Sequence, residues 1–208
     1  SALWAGPLCT RLLARLGAEV VKVENRHRPD GLRRDPTGFY DVLNTGKQLL
    51  ELDLPRDIGR LRELALESDV VVESSRPRAL RHLGLLAEDV VAQGTSWVSI
   101  TARGRDSDAI GFGDDVAACA GLTVRDGPDL LPMGDALAYP LTAVAAAVAA
   151  VAAVAAVAPR LVDVSMLQVA QGVVAGEPTA HQVEHRAGRW WVETDHGRYP
   201  VRSPGEIG

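Results

Sequence analysis

The sequence predicts an α/β fold: a Rossmann-like open parallel sheet with flanking helices, followed by a short C-terminal hairpin segment. Three observations carry this. Short apolar strands alternate with helix-period segments through the first half. Two of those strands, Asp69–Glu73 (DVVVE) and Trp97–Ala102 (WVSITA), are nearly continuous apolar runs, as parallel strands covered on both faces require. The core must also be aliphatic, because aromatics are only 4% of the 208 residues while 47% are hydrophobic.

The elements follow in order. Ser1–Leu3 reads as the tail of a strand, with further residues expected ahead of it, and Ala5-Gly6-Pro7 reads as a turn. Leu8, Leu12, Leu13 and Leu16 share one helical face, and Gly17 suits the position just past the helix end. Ala18–Val23 is a strand, followed by a basic loop from Arg26 to Arg34. Leu49–Leu54 is the second strand, Pro55 opens a helix through Glu67, and Asp69–Glu73 is the third strand. Helical stretches at Arg78–Leu85 and Ala87–Ala92 lead to the fourth strand, Trp97–Ala102.

The second half changes character. Asp114–Leu122 reads as a helix. Leu141–Ala158 is almost pure Ala and Val and long enough to meet a simple membrane-span test. A buried central helix is the better reading, because Ala contributes little transfer energy and no basic or aromatic anchors flank the segment. Leu161–Met166 is a strand or a helix lead-in, and Met166–Ala175 a helix. Arg189–Glu193 and Arg198–Arg202 flank Asp195-His196-Gly197 as a hairpin. The division expected is residues 1–175 as one large domain and residues 176–208 as a reduced C-terminal segment.

Charge narrows the function classes. Lys and Arg total 22 against 27 Asp and Glu, a net charge of −5. An acidic surplus argues against a general nucleic-acid binder but leaves room for a local phosphate pocket. Two cysteines, Cys9 and Cys119, exclude a disulfide scaffold and fit a reducing cytoplasm. No secretory signal is read at the start and no membrane partner is expected.

A set of ordered blocks then points to a family. They are Trp4-Ala5-Gly6-Pro7-Leu8-Cys9-Thr10, Leu16 to Glu24, Pro29-Asp30-Gly31-Leu32-Arg33, Asn44-Thr45-Gly46-Lys47, Glu51 to Leu54, Asp69 to Glu73, Arg76-Pro77, Leu83-Gly84, Val98 to Thr101 and Val162 to Met166. In this order and spacing the chain resembles the family III CoA-transferases, the group of formyl-CoA transferase, carnitine CoA-transferase and α-methylacyl-CoA racemase. The resemblance implies a CoA-binding Rossmann-like large domain, CoA or acyl-CoA as substrate with no metal, and an intertwined homodimer. The C-terminal third is much shorter than that family's small domain.

Site residues follow from the resemblance. Arg33 and Lys47 match residues at the nucleotide end of CoA, and Ser74, Ser75 and Arg76 match the stretch around the adenine and phosphates. CoA needs local cations and free backbone N–H groups, and the run Arg26, Arg28, Arg33, Arg34 supplies the former. Solvation is the plainer reading of basic loop residues. Trp4, with Ala5 behind it, stands where formyl-CoA transferase has Gln, and would narrow an acyl pocket, stack on a ligand or pack in the core.

The transferases use an Asp that attacks the acyl-CoA, giving an acyl-enzyme anhydride and then an aspartyl-CoA thioester. Tyr139 occupies that position here, and a phenol forms neither species. Asp135, four residues earlier, is the nearest carboxylate in sequence and the candidate nucleophile. The racemase branch has a His ahead of the helix at Asp114, where this chain has Gly111-Phe112-Gly113, so racemisation is not expected. Two functions stay open: acyl-CoA transfer through Asp135, or a binding or repurposed relative without the nucleophile. His181-Gln182-Val183-Glu184-His185 matches a zinc-helix pattern, with a polar surface helix or linker as the plainer reading.

Overall fold

Alternating strands and helices build the first part of the chain, and the computed structural model describes residues 1–126, 128–175 and 181–200. Helix α1 (Ala5–Arg15) leads to strand β1 (Val21–Asn25), a short 3-10 turn (Gly31–Arg34), α2 (Phe39–Asn44) and β2 (Gln48–Leu52). Next come α3 (Ile58–Leu66), β3 (Val70–Glu73), α4 (Pro77–His82), α5 (Ala87–Ala92) and β4 (Ser96–Thr101). Then α6 (Gly113–Cys119), β5 (Thr123–Asp126), β6 (Asp129–Pro132), α7 (Ala138–Val154), β7 (Leu161–Ser165) and α8 (Met166–Val174) follow.

The parallel strands form two sheets: β1 with β2, and β3-β4-β7 with β4 central. All of β4 is buried, as its apolar sequence requires. One face of the three-stranded sheet carries Val98, Ile100 and Val164 into a core with α1, α6, α7 and α8. The other carries Trp97 against Ala65, Leu85, Ala87 and Val90 from α3, α5 and the segment before α5. Alanine sets the spacing of the first layer. Ala143, Ala146 and Ala150 are wholly buried, as is Cys9 of α1, and such small side chains let helices approach closely.

Several boundaries differ from the sequence reading, each for a physical reason. Ala5-Gly6-Pro7 is the first turn of α1, not a free turn. Pro7 is tolerated there because its missing N–H is one of the four that have no intrahelical partner. Pro140 does the same in α7, so that helix begins at Ala138 rather than Leu141, and it ends at Val154. Ser1–Leu3 lies in no strand. Pro55 lies in a turn ahead of α3 rather than opening it. The antiparallel pair β5–β6 is an addition, and Leu161–Ser165 is a strand pairing with β4. Among the described residues no helix is long and apolar enough to cross a membrane.

Contacts divide the chain into two units, Ser1–Val174 and Ala175–Gly208. The second holds an antiparallel sheet of β8 (His181–Arg186), β9 (Arg189–Thr194) and β10 (Gly197–Pro200), with β9 in the middle. The expected hairpin is therefore present, with a third strand added. That third strand is the His181–His185 segment, which is neither helix nor linker. Residues four apart on a strand lie about 13 Å apart, so the zinc-helix geometry does not form. The expected domain boundary at 176, the strand end at Arg202 and the final turn lie outside the described residues.

Candidate functional site

The starts of α1 and α7 meet because the two helices pack against each other through alanine and Cys9. Trp4 stands at the N-cap of α1, and Tyr139 is the second residue of α7. Their ring centroids are 6.0 Å apart, and Trp4 meets Phe39 of α2 edge to face at 5.0 Å. Ala5, directly behind Trp4, is buried in the core. Gly113, at the start of α6, completes the corner. A Cβ there would fall 2.6 Å from both the Ala136 carbonyl and Tyr139 Cδ2, so only glycine fits.

Tyr139 is half-buried. Burial pushes its phenol pKa up, the Gly113 backbone N–H opposes this, and the Asp115 and Asp114 carboxylates add to the rise. It is a neutral hydroxyl at ordinary pH. Asp135 is exposed in the turn before α7. It is not the only carboxylate close by in space. Asp114 Oδ1 accepts the Ala136 N–H at 2.6 Å, and Asp115 Oδ1 accepts the Phe112 N–H at 2.5 Å. Asp115 thereby reaches back to the N-cap of its own helix, whereas Asp114 ties the start of α6 to the turn before α7.

The basic residues resolve into a different structure. Glu24 of β1 accepts Arg33 Nε at 2.8 Å and Arg33 Nη2 at 3.2 Å, and the Tyr40 hydroxyl donates to it at 2.6 Å. Burial pushes the Glu24 carboxyl up, but the hydrogen bonds from Arg33, Tyr40 and the Asp30 N–H, with Lys22 nearby, outweigh it and bring the pKa down to about 2. The Arg33 guanidinium lies 4.4 Å over the Tyr40 ring. Lys22 is buried and donates to Asp30 Oδ2 at 2.8 Å. Lys47 precedes β2 rather than following a strand, and its Nζ donates to the Pro7 carbonyl at 2.8 Å and Asn44 Oδ1 at 3.0 Å. Burial, then the charge of Lys22, lowers its pKa to about 8. Arg33 is thus paired within the set of Glu24, Lys22 and Asp30, while Lys47 feels Lys22 only as a repelling charge and takes partners of its own.

The loop after β3 lies beside the start of α1. Ser74 Oγ is 3.2 Å from where a Cβ on Gly6 would sit, and Ser75 Oγ donates to Glu73 at 3.0 Å. Arg76 is exposed at the N-cap of α4. Glu73 is buried at the carboxyl end of β3, and burial raises its pKa against Ser75, Arg105 and Ser99. Arg105 donates to Ser99 Oγ at 2.6 Å and to Glu88 at 2.8 Å. A groove of about 410 Å³ lies elsewhere, lined by Asp69, Thr95 and Ser96 at the amino ends of β3 and β4. Open α/β sheets bind ligands at the opposite, carboxyl ends, where Glu73, Ser74 and Ser75 are.

Sequence reasoning singled out Trp4, Tyr139 and the basic loop as candidates. It did not single out the packing of Phe39 and Gly113 or the pairing of Glu24 with Tyr40, which depend on contacts between distant segments. Glu24 offered a signal, a carboxylate closing a strand ahead of a basic run.

The profile of CoA-transferase family III matches residues 1–202. The chain is 31% identical to succinyl-CoA--D-citramalate CoA-transferase of Chloroflexus aurantiacus over 195 residues, 84% of this chain and 48% of that protein. It is 45% identical to succinyl-CoA:mesaconate CoA-transferase of Haloarcula hispanica over 85 residues, 34% of this chain and 21% of that one. The chain therefore spans about half the length of the citramalate relative. A hypothetical protein of Mycobacterium tuberculosis superposes with a TM-score of 0.80 at 26% identity, covering 93% of this chain and 62% of that one. A CaiB/BaiF family protein from Brucella suis shares the fold, with a TM-score of 0.79 at 21% identity, over 93% of this chain and 63% of that one. This chain belongs to CoA-transferase family III.

Proposed function

We propose that the protein binds an acyl-CoA across the starts of α1 and α7 and serves CoA transfer between carboxylic acids. The observation that carries this is the meeting of Trp4 and Tyr139, matched to the family's acyl and nucleophile positions, within a family match over residues 1–202. Arg33, Lys47 and Arg76 would hold the phosphates, with Ser74, Ser75 and the backbone around Ala5 along the nucleotide.

Transfer needs a carboxylate. In this reading Asp135 attacks the thioester carbon, CoA leaves as thiolate, and an acyl-aspartyl anhydride remains. The thiolate then attacks the aspartyl carbonyl, releasing the first acid and leaving an aspartyl-CoA thioester. The acceptor acid attacks that carbonyl, giving a new anhydride and thiolate. The thiolate attacks the acceptor acyl carbon, which forms the new thioester and frees Asp135. A homodimer in a reducing cytoplasm, where Cys9 and Cys119 stay free thiols, goes with the reading. Light scattering of the purified chain tests the dimer.

One observation favours a second reading. Tyr139 is a neutral phenol at the position of the family carboxylate, and Asp135 is exposed beyond it. In that reading the chain binds CoA thioesters without forming a covalent intermediate. Intact-mass measurement after incubation with an acyl-CoA separates the two. An acyl or CoA adduct that Asp135→Ala abolishes supports transfer, and no adduct with no exchange of labelled CoA supports binding alone.

A further inference from the structure

We propose that the acyl group accepted at this site is uncharged and apolar, an aryl ring foremost, and that acids carrying a second carboxylate are turned away. The proposal rests on the CoA-thioester reading above and adds the class of acyl group to it.

Four elements supply the surface. Trp4, Phe39 and Tyr139 stand side by side at the starts of α1, α2 and α7, each half-buried and so each presenting part of a ring outward. The loop into α6 adds Ile110 and Phe112, 55% and 54% exposed. Gly113, next in the chain, presses against the Tyr139 ring. A protein with 4% aromatics thus gathers three of them in ring contact where the resemblance sets the acyl chemistry, with Phe112 exposed in the loop that leads to Gly113. Half-buried rings in edge-to-face contact offer further edges and faces to another flat ring.

Charge decides between acids. The charged groups that bear on Tyr139 are Asp115 and Asp114, both carboxylates. Each is held in place by a backbone N–H, from Phe112 and Ala136. The cations matched to the CoA site are engaged elsewhere, Lys47 with the Pro7 carbonyl and Asn44, Arg33 with Glu24. A second carboxylate on the acyl group would meet like charge, and the donors at the corner, the Tyr139 hydroxyl and the Trp4 indole N–H, carry no positive charge to offset it. A trimethylammonium acid is the other occupant that rings beside carboxylates suggest. The rings oppose it, because Trp4 and Phe39 are in direct T-shaped contact at 5.0 Å instead of walling a cage around one point.

Isothermal calorimetry on the full chain tests this with CoA, phenylacetyl-CoA, succinyl-CoA and the CoA thioester of a trimethylammonium acid. Phenylacetyl-CoA is expected to bind about tenfold more tightly than succinyl-CoA, the size of one or two aromatic contacts. Trp4→Ala should erase that preference, and Phe112→Ser, at the exposed N-cap of α6 where serine is itself a favoured residue, should reduce it. Equal affinities, or tightest binding of the succinyl or cationic thioester, overturn the proposal and leave the CoA reading standing. No binding of CoA or of any thioester overturns both.

Discussion

The aromatic corner and the polar cluster lie on neighbouring elements but are built on opposite terms. In the cluster around β1, every named charge has a protein partner: Lys22 with Asp30, Arg33 with Glu24, Lys47 with Asn44 and the Pro7 carbonyl. In the corner of Trp4, Phe39 and Tyr139, the contacts are ring to ring and the rings stay partly open to solvent. The cluster is a frame that holds loops in place, and its cations must trade partners to grip a phosphate. In the proposed reading the corner would take a ligand without such a trade. Residues matched to one binding site can therefore differ in how much of their work is structural.

Breaking the frame gives the largest effect. Lys22→Met leaves the wholly buried Asp30 carboxylate without its cation, at a cost of about 3–5 kcal/mol. Urea unfolding reads this as a lower midpoint. A change under about 1 kcal/mol would mean the cluster is not the frame described. In the corner, Gly113→Ala drives a methyl group into Ala136 and Tyr139 and should cost about 1–3 kcal/mol. A thermal melt unchanged from wild type would show that α6 and α7 do not meet so closely.

Acid sharpens the contrast. The Glu24 carboxyl titrates at about 2 in the folded protein against an ordinary 4.5, so its contribution to stability is complete above 4.5. It is lost as pH falls from about 4.5 towards 2, because the unfolded chain takes up the proton first. Arg33→Met and Tyr40→Phe should each flatten that slope, whereas Trp4→Ala should leave it unchanged. Equal slopes in all four proteins would contradict the assignment.

The smallest effect concerns Lys47. Its folded pKa of about 8 lies below the ordinary 10.5, so the folded chain loses this proton first as pH rises. Stability gains between 8 and 10.5, while any phosphate held by the ammonium is held less well above 8. CoA affinity should fall a few-fold between pH 7 and 9, on the scale of one screened surface contact, and Lys47→Gln should remove that dependence.

The sequence made the layered α/β plan readable because parallel strands need apolar runs, and DVVVE and WVSITA have them. Helix starts were harder, since Pro7 and Pro140 signal a break in isolation yet are harmless in a first turn. Strand β8 was missed because His181–Arg186 has polar composition, and its pairing with β9 is a tertiary fact. The pair β5–β6 was passed over although Gly127-Pro128 is a turn signal. The family blocks led to Trp4, Tyr139, Arg33 and Lys47. That Trp4 touches Phe39 and Tyr139, or that Arg33 is engaged by Glu24, depends on close approach between segments far apart in the chain, which no spacing rule encodes.

A calorimetric titration of the purified chain with CoA, run beside dephospho-CoA, probes the central claim most directly. The account predicts saturable binding of CoA, weaker for the analogue that lacks the 3′-phosphate, and weaker again in Arg33→Met. Absence of saturable heat with millimolar CoA would contradict it.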